Sequence, residues 1–340
     1  MSENQGLGER SPQRIVILRA LQLGDLMCAV PAFRALRAAF PEAVITLVGL
    51  PWARRFVERF SYYLDDFIEF PGFPGFPEIE PDIHRFPEFL VGLQWVDFDL
   101  ALQMQGSGGV SNSLIELFGA RLTAGFSLEG QYCPDPHLFL DYPVHESEVW
   151  RLLRLMEFLG LPLQGEELEF PLYPHDWREF RTLEDQSGLI QGRYACVHPG
   201  ARALERRWPV ERFAAVADGL AARGYQVVLT GSPEETELTQ QVQEQMQAPA
   251  LNLAGKTSLG ALGALLSGAR LLVCNDTGVS HMAEALLTPS VVLFPASDPQ
   301  RWAPKDHNLH RIVAWATAAM PEVVLGEVDE LLHEERSYAL

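Results

Sequence analysis

The chain has 340 residues, 47% of them apolar, and a formal net charge of −19. That length exceeds one ordinary core and suits two domains of roughly 150 residues each, and the apolar share excludes wholesale disorder. The acidic balance excludes a nucleic-acid binder, because neutralising phosphates takes a basic face; a local basic pocket for a small anion stays open.

No window of roughly 18 residues has the unbroken apolarity that a membrane helix requires. The opening MSENQGLGERSPQ is polar and holds no apolar signal segment, so residues 1–13 read as a disordered tail and a cytoplasmic location is expected. Cys28, Cys133, Cys196 and Cys274 show no CxxC spacing. Three of them lie in apolar runs and read as small core residues, so neither a disulfide framework nor a zinc site is expected. Only Lys256 and Lys305 are lysines, and arginine carries the remaining positive charge.

In chain order, residues 14–19 (RIVILR) read as a strand, 20–25 (ALQLGD) as a loop, and the stretch to Phe40 as an amphipathic helix stopped by Pro41. A strand at 43–49, a helix at 52–60 and a strand at 66–70 follow. Residues 71–87 hold five prolines among phenylalanines and read as a surface loop or lid. The alternation resumes with helices at 88–95 and 112–119, strands at 99–104 and 121–126, and a helix at 145–160. Residues 161–174 read as a linker and 175–187 as a helix. Strands at 194–197, 226–230, 251–253, 270–274 and 290–294 then alternate with helices at 209–223, 233–246, 258–268 and 278–287. This pattern predicts an α/β protein of two doubly wound parallel-sheet domains, whose ligands bind outside the carboxyl ends of the strands. Two such domains facing each other would form a cleft.

Three segments carry chemistry. Cys274-Asn275-Asp276-Thr277-Gly278-Val279-Ser280-His281 stands where a buried strand gives way to a helix. Asp276 or Thr277 can cap that helix, Gly278 permits close approach, and the free N–H groups suit a phosphate; His281, one turn in, can donate to the same anion. A plain cap beside a core histidine is the competing reading. His198-Pro199-Gly200-Ala201, also after a strand, is followed by Arg202, Arg206 and Arg207, which can neutralise a diphosphate leaving group or simply form a solvated basic loop. Gly24-Asp25 follows the first strand; Asp25 can be a general base toward an acceptor hydroxyl or an ordinary helix cap.

Other patterns fail. Gly255-Lys256-Thr257 lacks the glycine that would open a P-loop, since position 250 is Ala250. No G-x-G-x-x-G follows a strand, no G-x-S-x-G occurs, and no His/carboxylate cluster has metal spacing. Gly106-Ser107-Gly108-Gly109 reads as a flexible loop.

Taken in order, RIVILRALQLGD, PAFRALRAAFPEA, VHPGA…RRWP, LNLAGKTSL, CNDTGVSHMAEAL and TPSVVLFPASDP resemble glycosyltransferase family 9, the heptosyltransferase family, over roughly 14–305. The resemblance implies a GT-B architecture: an N-terminal acceptor-binding domain at 14–160, the linker 161–174, and a C-terminal nucleotide-sugar-binding domain at 175–340. It implies inverting, metal-independent transfer without a cofactor, from a donor that is typically ADP-L-glycero-D-manno-heptose. The acceptor would be a glycan or a lipid-linked lipopolysaccharide core, with at most peripheral contact at the inner membrane face.

Carried over, Asp25 matches the catalytic base, and Asp276, Thr277, Gly278 and His281 match the donor segment. His198, Gly200, Arg202 and Arg206 complete the donor set, with Arg206 standing where better-known members have lysine, a planar fork in place of a point charge. Gly24, Arg54 and Arg55 are acceptor-side candidates; with Arg59 these arginines also fit a solvated helix face. Alternatives of the same class use another nucleotide sugar or acceptor. A non-catalytic sugar-nucleotide-binding protein and an epimerase of the two-Rossmann type are the rivals of other classes.

Overall fold

The computed structural model describes residue 7, residues 11–315 and residues 320–338; most of the expected tail, 1–6 and 8–10, lies outside them. The chain divides into two compact units, Met1–Glu167 and Leu168–Leu340.

The first unit runs β1 (Arg14–Leu18), α1 (Leu23–Ala39), β2 (Val44–Gly49), a 3-10 turn into α2 (Arg54–Arg59), and β3 (Asp66–Glu69). It continues with α3 (Phe86–Val96), β4 (Leu100–Gln103), α4 (Gly109–Glu116), β5 (Leu122–Ser127), β6 (Phe139–Asp141) and α5 (Glu148–Phe158). Its sheet has the order β3-β2-β1-β4-β5-β6, and every pairing is parallel, with Ile15 opposite both Ile45 and Leu100. Ile15, Val16, Ile17 and Leu18 are wholly buried, as a central strand covered on both faces requires.

The second unit repeats the plan. It comprises α6 (Pro174–Ser187), β7 (Tyr194–His198), α7 (Val210–Ala222), β8 (Gln226–Leu229), α8 (Thr236–Gln245), β9 (Ala250–Asn252) and α9 (Leu259–Gly268). There follow β10 (Leu271–Asn275), α10 (Gly278–Ala285), β11 (Ser290–Phe294), α11 (Pro299–Trp302), β12 (His310–Ala314) and α12 (Pro321–Tyr338). The sheet order is β12-β11-β10-β7-β8-β9, again all parallel. One face packs Val197, Phe213, Val216, Val227, Val273 and Val291 into a single core.

Counted from its own first strand, each sheet reads 3-2-1-4-5-6. The order therefore reverses between β1 and β4 in the first unit and between β7 and β10 in the second, and ligands of open α/β sheets bind at such switch points. Gly24-Asp25 follows β1; the His-Pro-Gly and Asp-Thr-Gly segments follow β7 and β10. All three chemical segments thus stand at switch points.

Several expectations need correction. The loop at 20–25 is shorter, because α1 begins at Leu23 and already contains Gly24 and Asp25; it runs on through Pro31. Residues 71–85 form no regular element and are mostly exposed or half-buried, as expected of a surface loop, but the segment is pinned and is not a loose lid. Phe70 and Phe76 are buried, and ring contacts run from Phe76 to Phe70 at 5.3 Å, on to Phe89 at 6.0 Å, and from Phe89 to Phe118 at 5.9 Å. Burial of these rings anchors the segment. The three-residue β6, the four-residue α11, β12 and α12 were not anticipated. Cys28, Cys196 and Cys274 are buried and Cys133 is half-buried; burial pushes the Cys196 and Cys274 thiols up, which keeps them protonated.

Candidate active site

At the switch point of the second unit, β7 ends in His198 and β10 ends in Asn275. Asn275 is wholly buried. Its Nδ2 donates to the Pro199 carbonyl at 2.8 Å, and its Oδ1 accepts from the Trp208 N–H at 3.1 Å. One side chain therefore clasps both ends of the loop that carries Arg202, Arg206 and Arg207. Trp208, 2% exposed, packs edge-on against Phe213 and seals the far end of the loop into the core. Within the loop the arginines diverge. Arg202 is exposed, and Arg207 donates Nε to the Ala201 carbonyl at 2.7 Å. Arg206 turns back toward the strand end, its Nη1 lying 3.7 Å from Asp276 Oδ2.

Asp276 is 3% exposed, and its Oδ2 accepts no hydrogen bond. A buried carboxylate oxygen in that state carries a desolvation cost that a ligand hydroxyl or a closer Arg206 would offset. Asp276 itself continues the sheet, its N–H bonding the Leu293 carbonyl at 2.8 Å, so the cap position falls to Thr277. Thr277 makes no side-chain cap. The Thr277 carbonyl accepts the Ser280 N–H at 2.9 Å and the Ser280 hydroxyl at 2.7 Å. With Thr277 and Gly278 half-buried, the N–H groups of the eight-residue α10 that come before Ser280 precede the intrahelical ladder, and the helix dipole lies behind them. A helix start of this kind can receive an anion. His281, 4% exposed, sits one turn in, its ring against Trp302 at 6.2 Å and its Nδ1 3.8 Å from Glu284 Oε2.

On the other side of β7, His198 bonds Thr230 Oγ1 through Nδ1 at 3.0 Å and faces Glu235 Oε2 at 3.7 Å. Burial holds its pKa down even though Glu235 acts the other way. Glu235 accepts from the Ser232 N–H at 2.8 Å and lies directly over Gly200, so close that a Cβ at Gly200 would collide with the carboxylate. A larger residue at 200 would require that carboxylate to move. The sequence reading passed over Asn275 and Glu235. The first was legible as an amide ending an otherwise apolar strand; the second belongs to a Ser232-x-x-Glu235 capping pattern.

In the first unit, Asp25 occupies the third position of α1 and is not its cap. Its carboxylate reaches back to the Gln22 N–H at 3.3 Å. The Asp25 carbonyl is gripped by Arg19, which is 1% exposed, through Nε at 3.0 Å and Nη2 at 2.7 Å. Gly24 is half-buried in the same turn. Arg54 and Arg55 are exposed on α2, and Arg54 lies over the Phe67 ring at 5.0 Å. Arg59, expected on the same solvated face, is buried. The helix is only six residues long, and Phe56, Val57 and Arg59 form its buried side.

Across β1, Gly108 holds a left-handed backbone (φ 100°) where a Cβ would strike the Phe126 carbonyl and Asn112. Glycine is needed there, so the Gly106–Gly109 segment is a built turn into α4 and not merely a flexible loop.

Among the described residues no helix is long and apolar enough to cross a membrane. Residues 89–333 match the family model of glycosyltransferase family 9 (heptosyltransferase). The chain is 36% identical over 172 residues to lipopolysaccharide heptosyltransferase 3 of Escherichia coli, a match that spans half of each protein. It is 26% identical over 343 residues to lipopolysaccharide heptosyltransferase 2 of Escherichia coli K12, covering 94% of this chain and 93% of the relative. The solved structure of E. coli ADP-heptose lps heptosyltransferase II superposes with a TM-score of 0.74 at 26% identity, over 95% of this chain and 99% of that one. With two six-stranded parallel sheets of the same order, the fold is GT-B. The chain is a glycosyltransferase and belongs to family 9, the heptosyltransferase family.

Proposed function

We propose that the protein transfers heptose, with inversion and without a metal, from ADP-heptose to a lipopolysaccharide inner-core acceptor, acting in the cytoplasm at the inner face of the membrane. The supporting observation is the buried, unbonded Asp276 Oδ2 beside Arg206 at the start of α10. An anion site and an acceptor for a sugar hydroxyl are what a sugar diphosphate presents a need for. Family membership and relatives named for lipopolysaccharide heptosyl transfer support the choice of substrates.

In this reading the second domain holds the donor. Arg206, with Arg202 at the rim, and the N–H groups of Thr277 and Gly278 stabilise charge as it builds on the departing β-phosphate, preorganised before the reaction. His281 donates to the same group. Asp276 accepts from a donor hydroxyl, and Gly200 leaves room for the Glu235 carboxylate. Glu235, past the end of β8 with His198 behind it, stands where doubly wound domains place the carboxylate that holds a ribose. In the first domain Asp25 takes the proton from the acceptor hydroxyl as it attacks the anomeric carbon, while Gly24, Arg54 and Arg55 contact the acceptor.

The test is a calorimetric titration with ADP, UDP and GDP in EDTA, followed by a transfer assay with ADP-heptose. Binding of ADP in preference to the others, with heptose appearing on a de-acylated inner-core acceptor, is the expected result. Preference for UDP or GDP overturns the donor, and a requirement for added metal overturns the mechanism.

A further inference from the structure

Beneath Asp25 lies a buried ionic chain that no part of this mechanism uses. Arg19 follows β1 and spends every guanidinium nitrogen. Nε and Nη2 take the Asp25 carbonyl, Nη1 takes the Met104 carbonyl at 2.5 Å, and Nη2 also meets Glu148 Oε1 at 3.1 Å. Glu148 opens α5 and is 4% exposed; its other oxygen accepts Arg151 Nη1 at 2.5 Å. Arg151, 2% exposed, lies over the Tyr142 ring at 4.5 Å and donates to the carbonyls of Pro143, Val144 and Glu146. A single chain of charge-assisted bonds thus runs from the loop before α5 to the first turn of α1, touching the end of β4 on the way. A second tie lies beside it, the Ala20 N–H bonding Gln105 Oε1 at 2.7 Å.

We infer that Arg19 is the positioning residue for Asp25, with Glu148 and Arg151 as its anchor. The inference rests on the reading of Asp25 as general base. Helix α1 does not need this grip in order to form, since the Asp25 carbonyl already belongs to the intrahelical ladder. A buried triad of two cations and one anion is also a costly way to fill a core that apolar side chains would fill at least as well. What the triad supplies is direction. A planar fork on one carbonyl fixes both the height and the rotation of the first turn, and with them the place of the carboxylate at its third residue. Misplacement of a reacting group by about 1 Å costs on the order of a hundredfold in rate.

The experiment combines Arg19→Lys with Asp25→Asn, using ADP-heptose and a de-acylated inner-core acceptor. Arg19→Lys keeps the charge and loses the fork. It should lower kcat at least tenfold with the donor KM within twofold, and the same change made in the Asp25→Asn background should cost less than twofold. Hydrogen exchange should accelerate in peptides covering 19–27 and 103–107 and stay at the wild-type rate in β2 and β5.

Additive losses in the two backgrounds, an equal rise in donor KM, or faster exchange throughout the first unit would overturn the proposal. If Arg19→Lys fails to fold, Glu148→Gln, which loosens the anchor alone, should give the same pattern at smaller amplitude; an unchanged kcat in that variant overturns the proposal. If the wild type transfers nothing, or Asp25→Asn keeps full turnover, the general-base reading fails, and the exchange pattern still decides whether Arg19 holds the turn.

Discussion

Asn275 is the residue whose removal most directly tests how the proposed donor site is built. Truncation to alanine strips the Trp208 N–H of its acceptor and the Pro199 carbonyl of its donor, bonds of 3.1 and 2.8 Å at a wholly buried position. Each buried polar group left unpaired costs about 1–3 kcal/mol. Because a loop can readjust, Asn275→Ala should lose roughly 2–4 kcal/mol of unfolding free energy. The loop between the two bonds carries Arg206, and a charge-assisted hydrogen bond to phosphate is worth about 1.5–3 kcal/mol, or roughly 10- to 150-fold in affinity. If the clasp aims Arg206, ADP should bind at least about tenfold more weakly to the variant.

Asn275→Asp keeps the acceptor for Trp208. It sets an oxygen against the Pro199 carbonyl and a second carboxylate next to buried Asp276, so it should be at least as destabilised as the alanine variant. Urea unfolding and ADP calorimetry on the same preparations are the assays. An Asn275→Ala protein within about 0.5 kcal/mol of wild type, with unaltered ADP affinity, would refute the reasoning.

Four further outcomes are expected. Asp25→Ala should reduce turnover by about 10²- to 10⁴-fold with ADP binding intact; near-normal turnover in a steady-state assay would remove Asp25 as the base. Arg206→Ala should weaken ADP in calorimetry and slow the reaction together, whereas an unchanged dissociation constant would place the guanidinium elsewhere. Gly200→Ala should displace the Glu235 carboxylate and break its bond to the Ser232 N–H, so both the thermal midpoint and ADP affinity should fall; wild-type values for both would show that the carboxylate swings aside freely.

The fourth concerns pH. Burial lowers the pKa of His198, which faces Thr230 and Glu235, and of His310, which bonds Ser290 at 2.8 Å with Glu284, Asp306 and His307 around it. The unfolded chain therefore takes up protons first, and the stability due to neutral histidine is full above about pH 6.5 and declines below it, by at most about 1.4 kcal/mol per pH unit for each group. The thermal midpoint should fall between pH 7.5 and 5.5 and fall less in His310→Gln; equal slopes for the two proteins would dismiss His310 as a contributor.

Much of this protein was legible from local pattern. Buried parallel strands need unbroken apolar runs such as RIVIL and LLVC, and helices between them need a 3.6-residue period, so alternation alone indicated two doubly wound domains. The same logic put His198 and Asp276 at strand ends, because a polar residue that closes an apolar run has nowhere else to be. Helix α1 was harder: the glycine in its first turn, Gly24, reads as loop, and only the burial of the helix and its packing on α5 override that preference.

What tertiary structure alone decided is which distant groups meet. Asn275 clasps residues 67 and 76 positions away, and Arg19 reaches Met104 and Glu148 across 85 and 129 positions. Such pairings leave no periodic trace in the chain. They follow from the strand order, which sets β1 beside β4 and β7 beside β10, and that order is chosen by the global burial of both sheet faces and by no local propensity. The residue types at the strand ends were therefore written in the sequence, while their assembly into a clasp, a candidate anion site and a braced first turn came from the sheets.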